Sequence, residues 1–226
     1  EARPTIDIDF MANRISRDRV FLTRVFKEIL AIPCDTDGVT FDPQSLRTEP
    51  ITVDKKYPGT RFFFSAHMDT IVQNMSIDIG FGDVVTPSPV SIEFPQLLSD
   101  VPSVNLKAYS IETVIAEKFH TMLDRDVFNS RMKDFFDCYQ LFLRFDINEQ
   151  ELYQAIKATF SNRQLENTPG RMLFTTEFAN GEERNINWNS FLRKIHWKEK
   201  LDFPTVMNLL RQKLKPLEER YWKEMG

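Results

Sequence analysis

Two acids one residue apart, Asp7 and Asp9, stand in the alternating stretch Arg3-Pro-Thr-Ile-Asp-Ile-Asp-Phe10. Successive side chains of a β-strand point to opposite faces, so both carboxylates fall on one face while Ile6, Ile8 and Phe10 take the other. Carboxylates held that close repel and share protons poorly unless a cation lies between them. Oxygen ligands on a rigid strand suit Mg²⁺, which keeps several waters and is usually completed by substrate phosphates. Taken alone, so short and common a pattern reads more readily as a solvated edge strand with two surface acids. A third acid, Asp78, lies between Ile77 and Ile79 in a similar alternation. An acid among β-branched residues of a core strand is costly unless a metal or hydrogen bonds compensate it, and the plainer alternative is the solvated face of an amphipathic strand. Lys118 falls within the apolar face of a helix, three residues after Ile115 and four after Val114. It must either extend its ammonium to solvent or find an anion, such as a phosphate in a cleft. Asp134 borders the apolar stripe of the next helix, with Lys133 and Asp137 further round, a pattern that usually marks the charged flank of a packed helix.

The elements that must position these residues follow from periodicity and punctuation. A helix is predicted over Asn13–Ile32, capped by Ser16 or Asn13, with Val20, Phe21, Val25, Phe26, Ile29 and Leu30 as its apolar stripe and Pro33 as its stop. Strands are predicted at Val39–Phe41, Ser45–Val53, Thr60–Met68 and Ile71–Phe81, with Glu49-Pro50 breaking the second. The short link at Asp69-Thr70 implies an antiparallel pair. Residues Asp83–Leu106 are rich in proline and read as an extended crossover to a helical half. Ser110 is the expected N-cap of a helix reaching Leu123, with Glu112 at the favourable end of its dipole. Further helices are expected over Arg131–Phe145, after Asn148, over Trp188–Trp197 and over Phe203–Trp222, whereas Met172–Phe178 reads as a short strand or irregular segment. The three tryptophans read as packing residues, and His67, His120 and His196 lack metal-ligand spacing. The division expected from this order is an α/β core over 1–106 and a helical domain over 107–226.

Composition bounds the function classes. A net charge of −4 provides no global basic field, so any nucleic-acid contact needs a local basic patch. Cys34 and Cys138 are far apart, with no CxxC pair, which fits a reducing cytoplasm and argues against a zinc site. No apolar run is long enough to span a membrane. Only 7 glycines are present, and no Walker or GxGxxG pattern appears among them. The chain opens almost directly inside a strand without a starting Met. A strand carrying functional acids at a terminus would fray, so further residues are expected before Glu1.

Taken together, the motifs form an ordered set: Arg3-x-Thr5-x-Asp7-Ile-Asp9-Phe10, then Ile77-Asp78-Ile79-Gly80, then Tyr109 through Ala116-Glu117-Lys118, then Arg131-x-Lys133-Asp134-Phe-x-Asp137. This set resembles the AbiEii family of nucleotidyltransferases, toxins of type IV toxin–antitoxin systems. The resemblance is clearest between Arg3 and Leu143. It implies an α+β fold: a DNA polymerase β-like mixed sheet with flanking helices, followed by a mostly helical C-terminal half. By resemblance Asp7, Asp9 and Asp78 would hold Mg²⁺, Lys118 would contact the phosphates of a nucleoside triphosphate, and Asp134 would be a further catalytic acid. Arg131 and Lys133 would be neighbours of the nucleotide, with individual roles left open, as is that of Asp137. The implied reaction moves a nucleoside monophosphate onto an acceptor, with the 3′ end of a tRNA as the acceptor the family suggests and a cognate antitoxin as partner. One departure supports a second reading. Family members carry a Gly-Gly or Gly-Ser segment ahead of the D-x-D strand, and none stands ahead of Asp7 here. A catalytically impaired nucleotide-binding or protein-interaction module is the alternative.

Overall fold

The computed structural model describes residues 8–33, 38–51, 59–94 and 103–226. Over these residues the chain divides into two compact units. One runs up to Asp83 and also takes in Glu93–Asn105; the other comprises Val84–Ile92 and Leu106–Gly226.

The first unit is built on a four-stranded mixed sheet. Its strands are β1 (Ile8–Ala12), β2 (Val39–Ile51), β3 (Gly59–Met68) and β4 (Ile71–Phe81), in the order β1-β4-β3-β2. β1 runs parallel to β4, and the other pairs are antiparallel. The β3–β4 link is the expected tight one, with Met68 opposite Ile71 and a positive φ at Asp69. One face of the sheet is apolar. Phe62, Phe64, Ile79 and Phe81 are buried there with Leu22 and Leu30 of helix α1 (Arg19–Leu30), and Phe26 stacks on Phe62 at 4.1 Å between ring centroids.

Helix α1 is shorter than its hydrophobic pattern suggested. Asp18, not Ser16 or Asn13, is the N-cap, its carboxylate accepting from Val20 N at 2.9 Å. The inward stripe is Leu22 and Leu30, both buried, with the partly buried Phe26 between them, spaced four apart, while Val20 and Ile29 are exposed. β2 corrects another expectation. Glu49-Pro50 does not break the strand, because β2 lies at the sheet edge, where a residue without an N–H is tolerated. The irregularity falls between Asp42 and Arg47 instead. There Ser45 Oγ donates to Asp42 O at 2.7 Å and accepts from Ser65 N at 2.9 Å, replacing a lost ladder bond by a side-chain one.

The chain from Asp83 to Leu106 contains no helix among its described residues. It supplies β5 (Val90–Phe94) and β6 (Val104–Ala108), which pair as a separate two-stranded sheet.

The second unit is helical. It contains α2 (Ile111–Arg125), a 3₁₀ turn at Asp126–Phe128, α3 (Met132–Arg144), α4 (Glu149–Asn162), α5 (Thr176–Asn180), α6 (Glu182–Lys194) and α7 (Phe203–Met225). Ser110 caps α2, accepting from Thr113 N at 3.2 Å, and Asn148 caps α4, as the sequence indicated. Ile115, Phe119 and Met122 of α2 join Phe135 and Phe136 of α3, Trp188 of α6 and Phe203 and Leu210 of α7 in one core. Trp188 is fully buried and donates its indole N–H to Leu201 O at 2.8 Å, and Trp197 and Trp222 pack at the edge of the core. Large side chains buried this way each contribute about 1.5–3 kcal/mol. Of the region 172–178, residues 172–175 are irregular and 176–178 already belong to α5, so no strand forms there. The architecture as a whole is α+β.

Candidate active site

The sheet places two of the three metal-candidate acids side by side. Parallel pairing of β1 with β4 puts Asp9 directly opposite Asp78. Residues opposite one another on neighbouring strands share a face, and neighbouring strands lie about 4.7–4.9 Å apart. The alternation is consistent on both strands: Ile8 opposes Ile77 and Phe10 opposes Ile79 on the other face, where Ile79 is buried. Asp9 is exposed and Asp78 half-buried. β1, which carries Asp9, therefore forms the edge strand of the sheet, yet Asp9 is in register with an acid of an interior strand. Asp7 lies outside the described residues.

Asp78 has a partner that sequence reasoning did not name. Arg61 of β3 stands opposite it and donates Nε–H to Oδ1 and Nη2–H to Oδ2, each at 2.6 Å. This compensates the cost of an acid between Ile77 and Ile79, which on sequence grounds required a metal or hydrogen bonds. A signal was available: strand alternation puts Arg61 on the face opposite Phe62, so the acid and the base lie on one side of adjacent strands. The run Phe62-Phe63-Phe64 obscured it by making the strand read as uniformly apolar.

The donor chemistry of this face fits a hard divalent cation. Asp9 and Asp78 offer carboxylate oxygens only, and each oxygen of Asp78 keeps a second lone pair beyond the one that Arg61 takes. Among the described residues no cluster of three His, Cys, Asp or Glu side chains suited to a metal converges. A set completed by Asp7 falls outside them.

The second unit brings together the other sequence-derived candidates. Lys118 on α2 donates to Asp134 Oδ1 at 2.9 Å and to Asp137 Oδ2 at 2.8 Å, both on α3. Arg131, at the start of α3, donates Nε–H to Asp134 Oδ2 at 2.6 Å. Asp134 and Asp137 are three residues apart on one helix and so flank the same ammonium. Asp134 is 1% exposed and Lys118 18%. Burial disfavours the charge on Lys118, but Asp134 and Asp137 outweigh it and hold its pKa above the usual lysine value. Burial likewise pushes the Asp134 carboxyl up, and Lys118 and Arg131 overcome it, leaving it below the usual carboxylate range. Lys133 is half-buried and outside this network. Lys118 thus neither snorkels nor faces a cleft alone: it is the centre of a two-helix ionic brace.

The approach to this brace is itself fixed. Asn129, nearly buried, accepts from Arg131 N at 2.9 Å. Arg184 of α6 donates to Asn129 O at 3.0 Å and Val127 O at 3.1 Å, with its guanidinium 3.6 Å from the centre of the Phe178 ring. Neither Asn129 nor Arg184 was singled out from the sequence, since each acts through backbone carbonyls or a backbone N–H, which leave no compositional trace.

The family model of the AbiEii nucleotidyl transferase toxins, of type IV toxin–antitoxin systems, matches residues 1–211. The chain belongs to this family. No curated protein matches it. Two crystal structures are distant likenesses of the AbiEii-family chain, both from Helicobacter pylori and both 14% identical to it. JHP933 covers 99% of this chain and 83% of its own, with a TM-score of 0.42. A provisionally assigned nucleotidyltransferase covers 95% of this chain and 81% of its own, with a TM-score of 0.48. Among the described residues no helix of this AbiEii-family protein is long and apolar enough to cross a membrane.

Proposed function

We propose that this AbiEii-family transferase moves a nucleoside monophosphate from a nucleoside triphosphate to an acceptor hydroxyl, with Mg²⁺ held at the Asp9–Asp78 face. The observation that carries the reading is the register of Asp9 with Asp78 on one sheet face, in a chain of a nucleotidyl transferase family. Asp7, on the same strand pattern, is assigned as the third carboxylate. A divalent cation bound there would lower the pKa of the acceptor hydroxyl and neutralise charge on the departing pyrophosphate.

The protein's own residues orient and neutralise. Asp9 and Asp78 present oxygen donors from backbone fixed by sheet pairing, so little reorganisation is needed when substrate arrives. Arg61 holds the Asp78 carboxylate in one orientation. In the helical unit Lys118 fixes the positions of Asp134 and Asp137, and Asp134 in turn orients Arg131. Within the helical unit taken by itself, Arg131, whose guanidinium is 41% exposed, Lys133 and Lys118 are proposed as phosphate-binding cations. The proposed acceptor is RNA, a tRNA 3′ end in the first instance, and the proposed partners include a cognate antitoxin and the cytoplasmic nucleotide pool.

Pyrophosphate release tests the reading. The protein is mixed with Mg²⁺, total cellular RNA and each nucleoside triphosphate in turn. Release with at least one nucleotide, lost in Asp9→Asn and Asp78→Asn, supports it. Release unchanged in both variants would remove these acids from the chemistry. The rival is a nucleotide-binding module without turnover. It predicts a nucleotide-dependent rise in melting temperature with no pyrophosphate.

A further inference from the structure

Asp78 is the middle of a row that crosses three strands. Pairing places Asp9 opposite it on β1 and Arg61 opposite it on β3. All three occupy the face turned away from the buried Phe62 and Ile79. The row therefore reads acid, acid, base, with the base attached to the central acid through both oxygens. A guanidinium is always charged and its fork matches carboxylate geometry, so Arg61 neutralises the same group that a metal at this face would use. The two side chains differ in how they are held. Asp78 is short and 18% exposed, whereas Arg61 reaches over it from solvent and is 44% exposed. The arginine is the partner that has somewhere to go. Its alternative partner is defined by the same chemistry, because a phosphate accepts the fork as well as a carboxylate does.

We infer that Arg61 is a positioning residue that competes with a divalent cation for Asp78, and so sets how tightly this face holds metal until a triphosphate draws the guanidinium away. The inference rests on Asp78 being a metal ligand, as proposed above. A purely structural Arg61 would only stabilise the sheet; a competing Arg61 opposes metal binding, and the two roles give opposite signs when Arg61 is removed.

The test is a Mn²⁺ titration of the full chain by calorimetry, without nucleotide. Wild type, Arg61→Gln, Arg61→Lys and Asp78→Asn are compared. Two charge-assisted hydrogen bonds no longer oppose the metal in Arg61→Gln, so its Mn²⁺ affinity is expected to rise by about tenfold. Arg61→Lys, which keeps the charge but not the fork, falls between this variant and wild type. Mn²⁺ also raises the melting temperature of Arg61→Gln more than that of wild type, which separates metal competition from any loss of folding caused by the substitution. Equal or weaker Mn²⁺ binding in Arg61→Gln and Arg61→Lys overturns the inference while leaving the metal site intact. Mn²⁺ binding that survives unchanged in Asp78→Asn, or is absent from every variant, overturns the metal-site reading and the inference with it.

Discussion

Replacing Lys118 by Met isolates the ionic brace of the helical unit. The methionine fills much of the lysine stem's volume, so the charge is chiefly what is lost. Asp134, 1% exposed, keeps Arg131, but Asp137 loses the ammonium at 2.8 Å and the two carboxylates then repel across the vacated position. Removing one member of a buried pair usually costs about 3–5 kcal/mol, because a buried charge is left uncompensated. Arg131 moderates that here, so about 3 kcal/mol is expected. For a unit of this size each kcal/mol corresponds to roughly 3–4 °C, so the melting temperature of the helical unit should fall by about 10 °C. Urea unfolding followed by the fluorescence of the buried Trp188 reports this unit directly. A loss below about 1 kcal/mol would refute the argument, since that is the range of a solvated surface pair. Lys118→Arg, which keeps the charge but replaces a compact ammonium with a planar guanidinium, should recover only part of the loss.

The same brace fixes a pH dependence. The pKa of Asp134 is depressed in the folded protein, so its contribution is present above the unfolded value of about 3.9 and is lost as pH falls through the lower folded value. That of Lys118 is raised, so its contribution is present below about pH 10.4 and is lost only as pH climbs through the folded value. Wild type should therefore lose stability below about pH 4 more steeply than Lys118→Met, and parallel acid titrations followed by circular dichroism would expose the reasoning if the two curves had one slope. Cys138 is fully buried, and burial drives its thiol pKa up. Native protein should resist iodoacetamide at Cys138 and react there only after unfolding, as peptide mass mapping would show; rapid native labelling would contradict its placement in the core. Gly59 sits where a Cβ would meet Ile51 at 3.0 Å and the Ile79 carbonyl oxygen at 3.1 Å. Gly59→Val should destabilise the sheet unit by about 1–3 kcal/mol through overpacking, and an unchanged denaturant midpoint would show that the strand ends can spread.

Much of this organisation was legible in the sequence, and the gaps have physical causes. Strand β4 and helices α2, α3 and α4 were readable because caps, turns and periodicity agreed there: Ser110 and Asn148 cap the helices that their positions announce. The start of α1 was misplaced because Ser16 and Asp18 are both competent caps, and only the bond from Val20 N decides between them. The break expected at Pro50 failed because edge position, a tertiary property, determines whether a strand tolerates proline. In the candidate site, the spacing of Asp9 and Asp78 within their strands showed which face each takes, but not that the strands are neighbours in register. The partners of Asp78 and Lys118 were harder to read for a similar reason. Arg61 lies 17 residues from its acid, and Asp134 and Asp137 lie 16 and 19 residues from their base. Such pairings are set by sheet order and helix packing, which local pattern does not encode.

Transfer of label from an α-labelled nucleoside triphosphate to acceptor tests the central claim most directly. The protein is incubated with Mg²⁺, each of the four nucleotides in turn and total cellular RNA, beside Asp9→Asn and Asp78→Asn. The account predicts a labelled RNA band with at least one nucleotide, reduced on the order of 10³-fold in either variant, as the loss of several kcal/mol of transition-state stabilisation requires. Label that persists at full intensity in both variants would contradict it.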